Sequence, residues 1–394
     1  MIIMNLAFFL NRLNHHQACV ADCLYTLLGN DYKFIELCEP NEESKKGDNT
    51  DYSSRPYLIQ AWKGARQQDL AYRIALSADA CIFGTEASLP YQRLRLKHNK
   101  LSFDVSERWL KRGIVNILSP RLLKNMWYYY TEAWYNKPLY KLCSSAFASG
   151  DHARLGMYKN KCFRWGYFTS VETDEVGTKL ATPTSDIISL MWCSRFLKWK
   201  HPELPILMAN RLKKKGYKFH LDMYGSGECE KVSKKLTEIL ELMDVVSFHG
   251  NITNNKVHEA MRKSDIFLFT SDRNEGWGAV ANESLSEECV LVASDSIGST
   301  PYLVDDGNNG FIFRSPKTSS TFDKPDVEAL ASLCEKVEWL LDHPKDLKRM
   351  QLNAHNIMNY IWSPAIAANS LIILINDLMN NRPSSILRGP CSKV

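Results

Sequence analysis

Asn274-Glu275-Gly276-Trp277-Gly278-Ala279-Val280-Ala281-Asn282-Glu283 follows the apolar run Asp265-Ile266-Phe267-Leu268-Phe269-Thr270 and leads into an Ala/Leu/Ser/Glu-rich segment. The run reads as a buried strand and the segment as a helix, so the Gly-Trp-Gly turn lies at a strand-to-helix junction. That step is the repeating unit of a parallel α/β sheet. A helix N-terminus offers unpaired N–H groups and the positive end of a dipole, which together favour an anion such as a phosphate. Glycines on either side of Trp277 let a ligand approach the backbone. Glu275 and Glu283 bracket the turn, and a wholly helical stretch would set them roughly 12 Å apart at about 1.5 Å per residue. That is the span of a sugar joined to a nucleotide.

Outward from this stretch the same pattern repeats. Strands are expected at 188–193, 219–224, 245–250, 290–294 and 310–313, with helices at 202–214, 229–242, 255–263, 326–342 and 345–359. The first half shows strands at 2–10, 32–37, 79–84 and 101–105, a polar loop over 11–17, and a helix over 18–28. Residues 139–147 and 161–165 close that half. The Thr-rich segment 169–187 reads as a linker. The expected organisation is an N-terminal domain over 1–168, a C-terminal domain over 188–361, and a last helix within 362–394 that crosses back to the first domain. Two α/β units with parallel sheets would face each other across a cleft, and open parallel sheets bind ligands at their carboxyl ends.

At 394 residues, with 45% hydrophobic and 24% charged residues, the chain is long enough for two cores and too apolar for disorder. Eleven cysteines without a C-x-x-C pair suit a reduced, cytoplasmic chain with no disulfide framework and no zinc site. The apolar start, Met1 to Leu10, lacks a basic leader and a cleavage site, so a first strand is the better reading than a signal peptide. No run approaches the roughly 20 apolar residues of a membrane span. Net charge is +5, but Gln92 to Arg164 carries 15 Lys/Arg against 4 Asp/Glu together with Trp109, Trp127, Tyr128, Tyr129, Tyr130, Trp134 and Tyr135. Such a block suits an anionic membrane surface or nucleic acid, or is a helical face whose aromatics fill the core. Nucleic acid rests on charge alone and is the weakest of the three.

Arg195 and Lys200 follow the 188–193 strand, and a guanidinium beside an ammonium suits the two phosphates of a diphosphate. Gly225-Ser226-Gly227 lacks the third glycine and the acidic partner of a dinucleotide fingerprint, which argues against a nicotinamide-dependent oxidoreductase. The two glutamates could serve as an acid/base pair or lie solvated on a helix.

In order, Cys193-Ser194-Arg195-Phe196 with Lys200-His201-Pro202-Glu203, Tyr224-Gly225-Ser226-Gly227-Glu228, Phe248-His249-Gly250-Asn251, the Glu275-to-Glu283 motif and Asp306-Gly307-Asn308-Asn309-Gly310-Phe311 resemble the family-four retaining glycosyltransferases. The resemblance covers about residues 188–365, and the first half is closest to bacterial surface-polysaccharide transferases through Asn14-His15-His16-Gln17 and Tyr158-Lys159-Asn160-Lys161-Cys162. It implies a GT-B fold, two Rossmann-like domains facing across a cleft, the first binding acceptor and the second donor. It implies that Arg195 and Lys200 hold the donor diphosphate, that Glu275 meets the donor sugar, and that Glu283 takes the ribose. Gly276, Trp277 and Gly278 would present amides, with Gly225, Gly250 and Asn251 completing the donor site. It also implies retention, no metal and no cofactor, the donor being a UDP- or GDP-sugar. Departures are Glu288-Cys289-Val290 where the family has Gly-Thr-Pro, Pro301-Tyr302 where it often has Pro-Glu, and Leu13-Asn14-His15-His16-Gln17 in place of a glycine-rich loop.

On the acceptor side His15, His16, Gln17 and Glu107 are the candidates. The expected function is transfer of a sugar to a glycan or lipid-linked acceptor in bacterial surface-polysaccharide synthesis, by a cytoplasmic protein peripheral on the inner face of the membrane. A nucleotide-sugar epimerase of the same fold and a decayed nucleotide-sugar-binding protein are the alternatives; donor incubated alone separates them.

Overall fold

The computed structural model describes residues 4–40, 50–134, 136–170 and 187–394. Most of the expected linker, 169–187, therefore lies outside the described residues. The chain divides into two compact units, residues 1–170 with 362–394, and residues 171–361.

The first unit holds a seven-stranded parallel sheet in the order β3-β2-β1-β4-β5-β6-β7. Its strands are β1 (Leu6–Leu10), β2 (Tyr32–Glu36), β3 (Leu58–Gln60), β4 (Ala80–Phe83), β5 (Ser102–Ser106), β6 (Leu139–Cys143) and β7 (Cys162–Arg164). All five residues of β1 are buried, because a parallel strand covered by helices on both faces shows no polar alternation. One face packs Phe9, Ile35 and Phe83 on Ala71 and Ala75. Elsewhere Tyr128, Tyr129, Leu139 and Tyr158 form a second cluster. The helix His15–Leu28 begins inside the expected polar loop, since the Asn14 side chain accepts from the His16 amide and caps it. The helix Pro364–Met379 packs against it. Phe163 pairs antiparallel with Lys393, so the terminal residues extend the sheet past β7.

Part of the basic block proves structural. Arg95 is fully buried and donates to the carbonyls of Ala75, Ala78, Asp79 and Leu101 and to the Ser102 hydroxyl. Lys141, also buried, pairs with Asp104 at 2.8 Å.

The second unit holds a six-stranded parallel sheet, β10-β9-β8-β11-β12-β13, made of β8 (Ile188–Cys193), β9 (Phe219–Tyr224), β10 (Val246–Gly250), β11 (Ile266–Phe269), β12 (Val290–Ser294) and β13 (Gly310–Phe313). Asp265 fixes the register of its centre. Its carboxylate accepts from the Ser189 amide and from Gln351, while its carbonyl accepts from Val290. Glu288 adopts φ +57°, a left-handed conformation usual for glycine. The tight turn is thus kept where the glycine is missing. In both sheets the strand order reverses beside the first strand of the unit, at β1/β4 and at β8/β11, and ligands of doubly wound sheets bind at such points.

Candidate active site

In the second unit the loops that leave β8 and β11 are clipped together by buried polar groups. The Thr270 hydroxyl donates to the Lys200 carbonyl at 2.7 Å and accepts from the Trp192 indole at 2.9 Å. The Asp272 amide donates to the Trp199 carbonyl at 3.0 Å. Between the loops lies His201, 1% exposed, with Nδ1 2.8 Å from Glu203 Oε1 and Nε2 3.5 Å from Asp272 Oδ2. Burial alone would push its pKa down. The two carboxylates outweigh that and raise it to about 9, so the ring is an imidazolium.

The clip brings Lys200 and Glu275 together as a buried ion pair. Ser271 also donates to Glu275 Oε2 at 3.0 Å, and the Lys200 ammonium lies 4.2 Å from the centre of the Trp199 ring. Glu283, 7% exposed, stands in the first turn of the helix Val280–Ser286. Burial lifts the Cys193 thiol to about 12, with Glu283 adding to the shift and Lys200 opposing it. The end of β8, Lys200 and Glu283 therefore share one neighbourhood. Arg195 is exposed, and its guanidinium has no hydrogen-bond or ion-pair partner among the described residues.

The glycines have packing reasons as well. A Cβ on Gly225 would fall 1.9 Å from the Ser194 carbonyl oxygen, and one on Gly278 would fall 2.3 Å from Phe269 Cζ. Gly250 takes φ +66° in open space, and its carbonyl accepts from the Gly225 amide. Asn251 donates to the Ser226 hydroxyl at 2.7 Å. Trp277 is fully buried, its indole donating to Asn282 at 2.8 Å and its carbonyl accepting from the Ser299 amide, so the structure does not expose it to a ligand as the resemblance implied. The stretch from Glu275 to Ala279 is loop, and the helix opens at Val280. Beside Gly250, Tyr224 and His249 stack at 4.4 Å, a flat aromatic surface that the sequence reading did not single out.

In the first unit a cavity of about 510 Å³ lies at the carboxyl ends of β1, β4, β5 and β6. Gln17 and Glu107 line it together with Tyr167, whose hydroxyl donates to Glu107 at 2.8 Å. His16 stacks on Tyr167 with ring centres 5.5 Å apart, and His15 lies beside His16. Tyr167 thus joins the acceptor-side candidates. Ser144 also lines the cavity, and its buried hydroxyl has no hydrogen-bond partner among the described residues.

Residues 177–356 match the family model described as Glycosyl transferases group 1. Solved structures similar over nearly the whole chain are GT-B glycosyltransferases, and the fold is GT-B. A glycosyltransferase from Rickettsia africae aligns over 97% of this chain and 100% of its own at 15% identity, with a TM-score of 0.64. Anabaena HepE in complex with UDP aligns over 96% and 100% at 14% identity, with a TM-score of 0.67. WaaG, a glycosyltransferase involved in lipopolysaccharide biosynthesis, aligns over 92% and 98% at 14% identity, with a TM-score of 0.58. No curated protein matches the sequence.

Proposed function

We propose that the protein is a retaining glycosyltransferase that moves a sugar from a nucleotide-diphosphate-sugar to a glycan or lipid-linked acceptor in bacterial surface-polysaccharide synthesis. The observation that carries the reading is the gathering of Lys200, Glu275 and Glu283 where the sheet order reverses in a group 1 glycosyltransferase unit, with Arg195 in the same loop as Lys200. Arg195 and Lys200 take the diphosphate and stabilise charge on the departing phosphate without a metal. Glu275 holds sugar hydroxyls and Glu283 the ribose. The UDP complexes of HepE favour a uridine donor over a guanosine one. A lipid-linked acceptor would place the protein peripherally on the inner membrane face.

A thermal-shift screen of UDP- and GDP-sugars tests the donor, because a ligand bound only by the native state raises its melting temperature. Transfer with chelator present, followed by the anomeric configuration of the product, tests the chemistry. Inversion at the anomeric carbon, or conversion of donor alone into an epimer, would refute the reading.

A further inference from the structure

The large apolar side chains that the first unit leaves exposed are concentrated in one segment. Of the 21 exposed large apolar side chains among the described residues, seven fall between Ile114 and Trp134. Ile114, Val115 and Leu118 project from a short 3₁₀ turn and are 62%, 66% and 77% exposed. The helix Pro120–Glu132 continues the ridge. It turns Leu122, Tyr128 and Tyr129 into the core, while Leu123, Trp127 and Tyr130, spaced one helical turn apart, stay outside. Arg112, Arg121 and Lys124, the last 3.7 Å from the Glu86 carboxylate, are exposed on the same segment. Its one carboxylate, Glu132, is neutralised by Arg93 at 2.8 Å.

A soluble surface gains nothing from exposing Trp127 and Leu118, whereas the boundary of a bilayer accepts aromatic and aliphatic side chains flanked by cations. The sign of the charge selects anionic headgroups. The same segment supplies Asn116, Ser119 and Asn125 to the wall of the 510 Å³ cavity described above. The ridge therefore adjoins the acceptor-side cavity. We propose that the Arg112–Trp134 ridge docks the protein on an anionic lipid bilayer.

This rests on the glycosyltransferase reading only for its purpose, since the ridge and its charge stand without it. Full-length protein is floated with vesicles of phosphatidylcholine alone and of phosphatidylcholine mixed with phosphatidylglycerol. The wild type is expected to float with the mixed vesicles, to bind them at least tenfold more weakly at high salt, and to leave the neutral ones in solution. The Leu118→Ser/Trp127→Ser double variant should lose the binding more than tenfold, and Lys124→Glu should weaken it, each with an unchanged melting temperature. No flotation with either vesicle would overturn the proposal, as would flotation that survives the double variant. Self-association that the double variant abolishes, with vesicles ignored, would assign the ridge to a second copy and overturn it too. A donor-induced thermal shift measured on the same preparation separates the two readings: failure to bind donor counts against the enzyme, failure to float counts only against the ridge.

Discussion

Lys200 and Glu275, 75 positions apart in the chain, form a buried ion pair, with Ser271 sharing the carboxylate. Each is the other's charge partner, so under the proposed function a donor diphosphate would compete with Glu275 for Lys200. Removing one member leaves an uncompensated buried charge. Lys200→Met and Glu275→Gln should each lower sugar transfer on the order of 10²-fold, and Lys200→Met should destabilise the second unit by about 3–5 kcal/mol. The double variant should cost less stability than the sum of the two. Denaturant titration and initial rates check both expectations.

His201 should make stability depend on pH. Its pKa rises from 6.5 to about 9 on folding, so the folded state binds the proton more tightly than the unfolded one. The stabilisation is fully present below about pH 6.5 and disappears as pH rises through about 9. At most it is worth roughly 3 kcal/mol. His258, paired with Glu287, is raised as well and contributes with the same sign. The difference between wild type and His201→Gln, followed by chemical denaturation from pH 6 to 10, isolates the His201 part.

Alanine at three glycines should separate packing from backbone strain. Gly225→Ala sets a Cβ against the Ser194 carbonyl and Gly278→Ala sets one against the Phe269 ring, both at positive φ. Gly250→Ala meets open space and carries only the left-handed cost of about 1–2 kcal/mol. Melting temperatures should fall distinctly more for the first two, and donor-induced shifts should fall with them.

Tyr167→Phe removes the hydrogen bond to Glu107 and keeps the ring that stacks on His16. If the first-unit cavity takes the acceptor, kcat/KM for acceptor should drop about tenfold, the scale of one hydrogen bond of about 1.5 kcal/mol. The donor-induced thermal shift should not change.

The second sheet was legible because β11, β12 and β13 are short apolar runs and β9 alternates apolar with polar residues. The first sheet was harder. β3 is three residues long, and the helices Ala65–Ser77, Leu89–Lys97 and Pro120–Glu132 carry so many polar and charged residues that their buried faces did not stand out. Arg95 was only one of the cations counted in the basic block, since nothing in a sequence reveals which carbonyls a side chain will reach. The polar loop expected over 11–17 is helical from His15, because the Asn14 side chain caps a helix there. His201 and Asp272 were within reach, both lying beside recognised motifs. Their pairing was not, because 70 intervening positions hide it. Tyr167 had no signal of its own until His16 and Glu107 were found on either side of it.

The first unit is built from two separate stretches of chain. Its sheet is finished by the last residues, where the Cys391 amide donates to the Arg164 carbonyl and the Arg164 amide to the Ser392 carbonyl, and its helix Pro364–Met379 lies beyond the whole second unit. Domains ordinarily fold in the order in which they are synthesised. Here that order is inverted. On the ribosome the second unit has all its residues while the first still waits for its final helix and edge, so a nascent chain completes its second body before its first is whole.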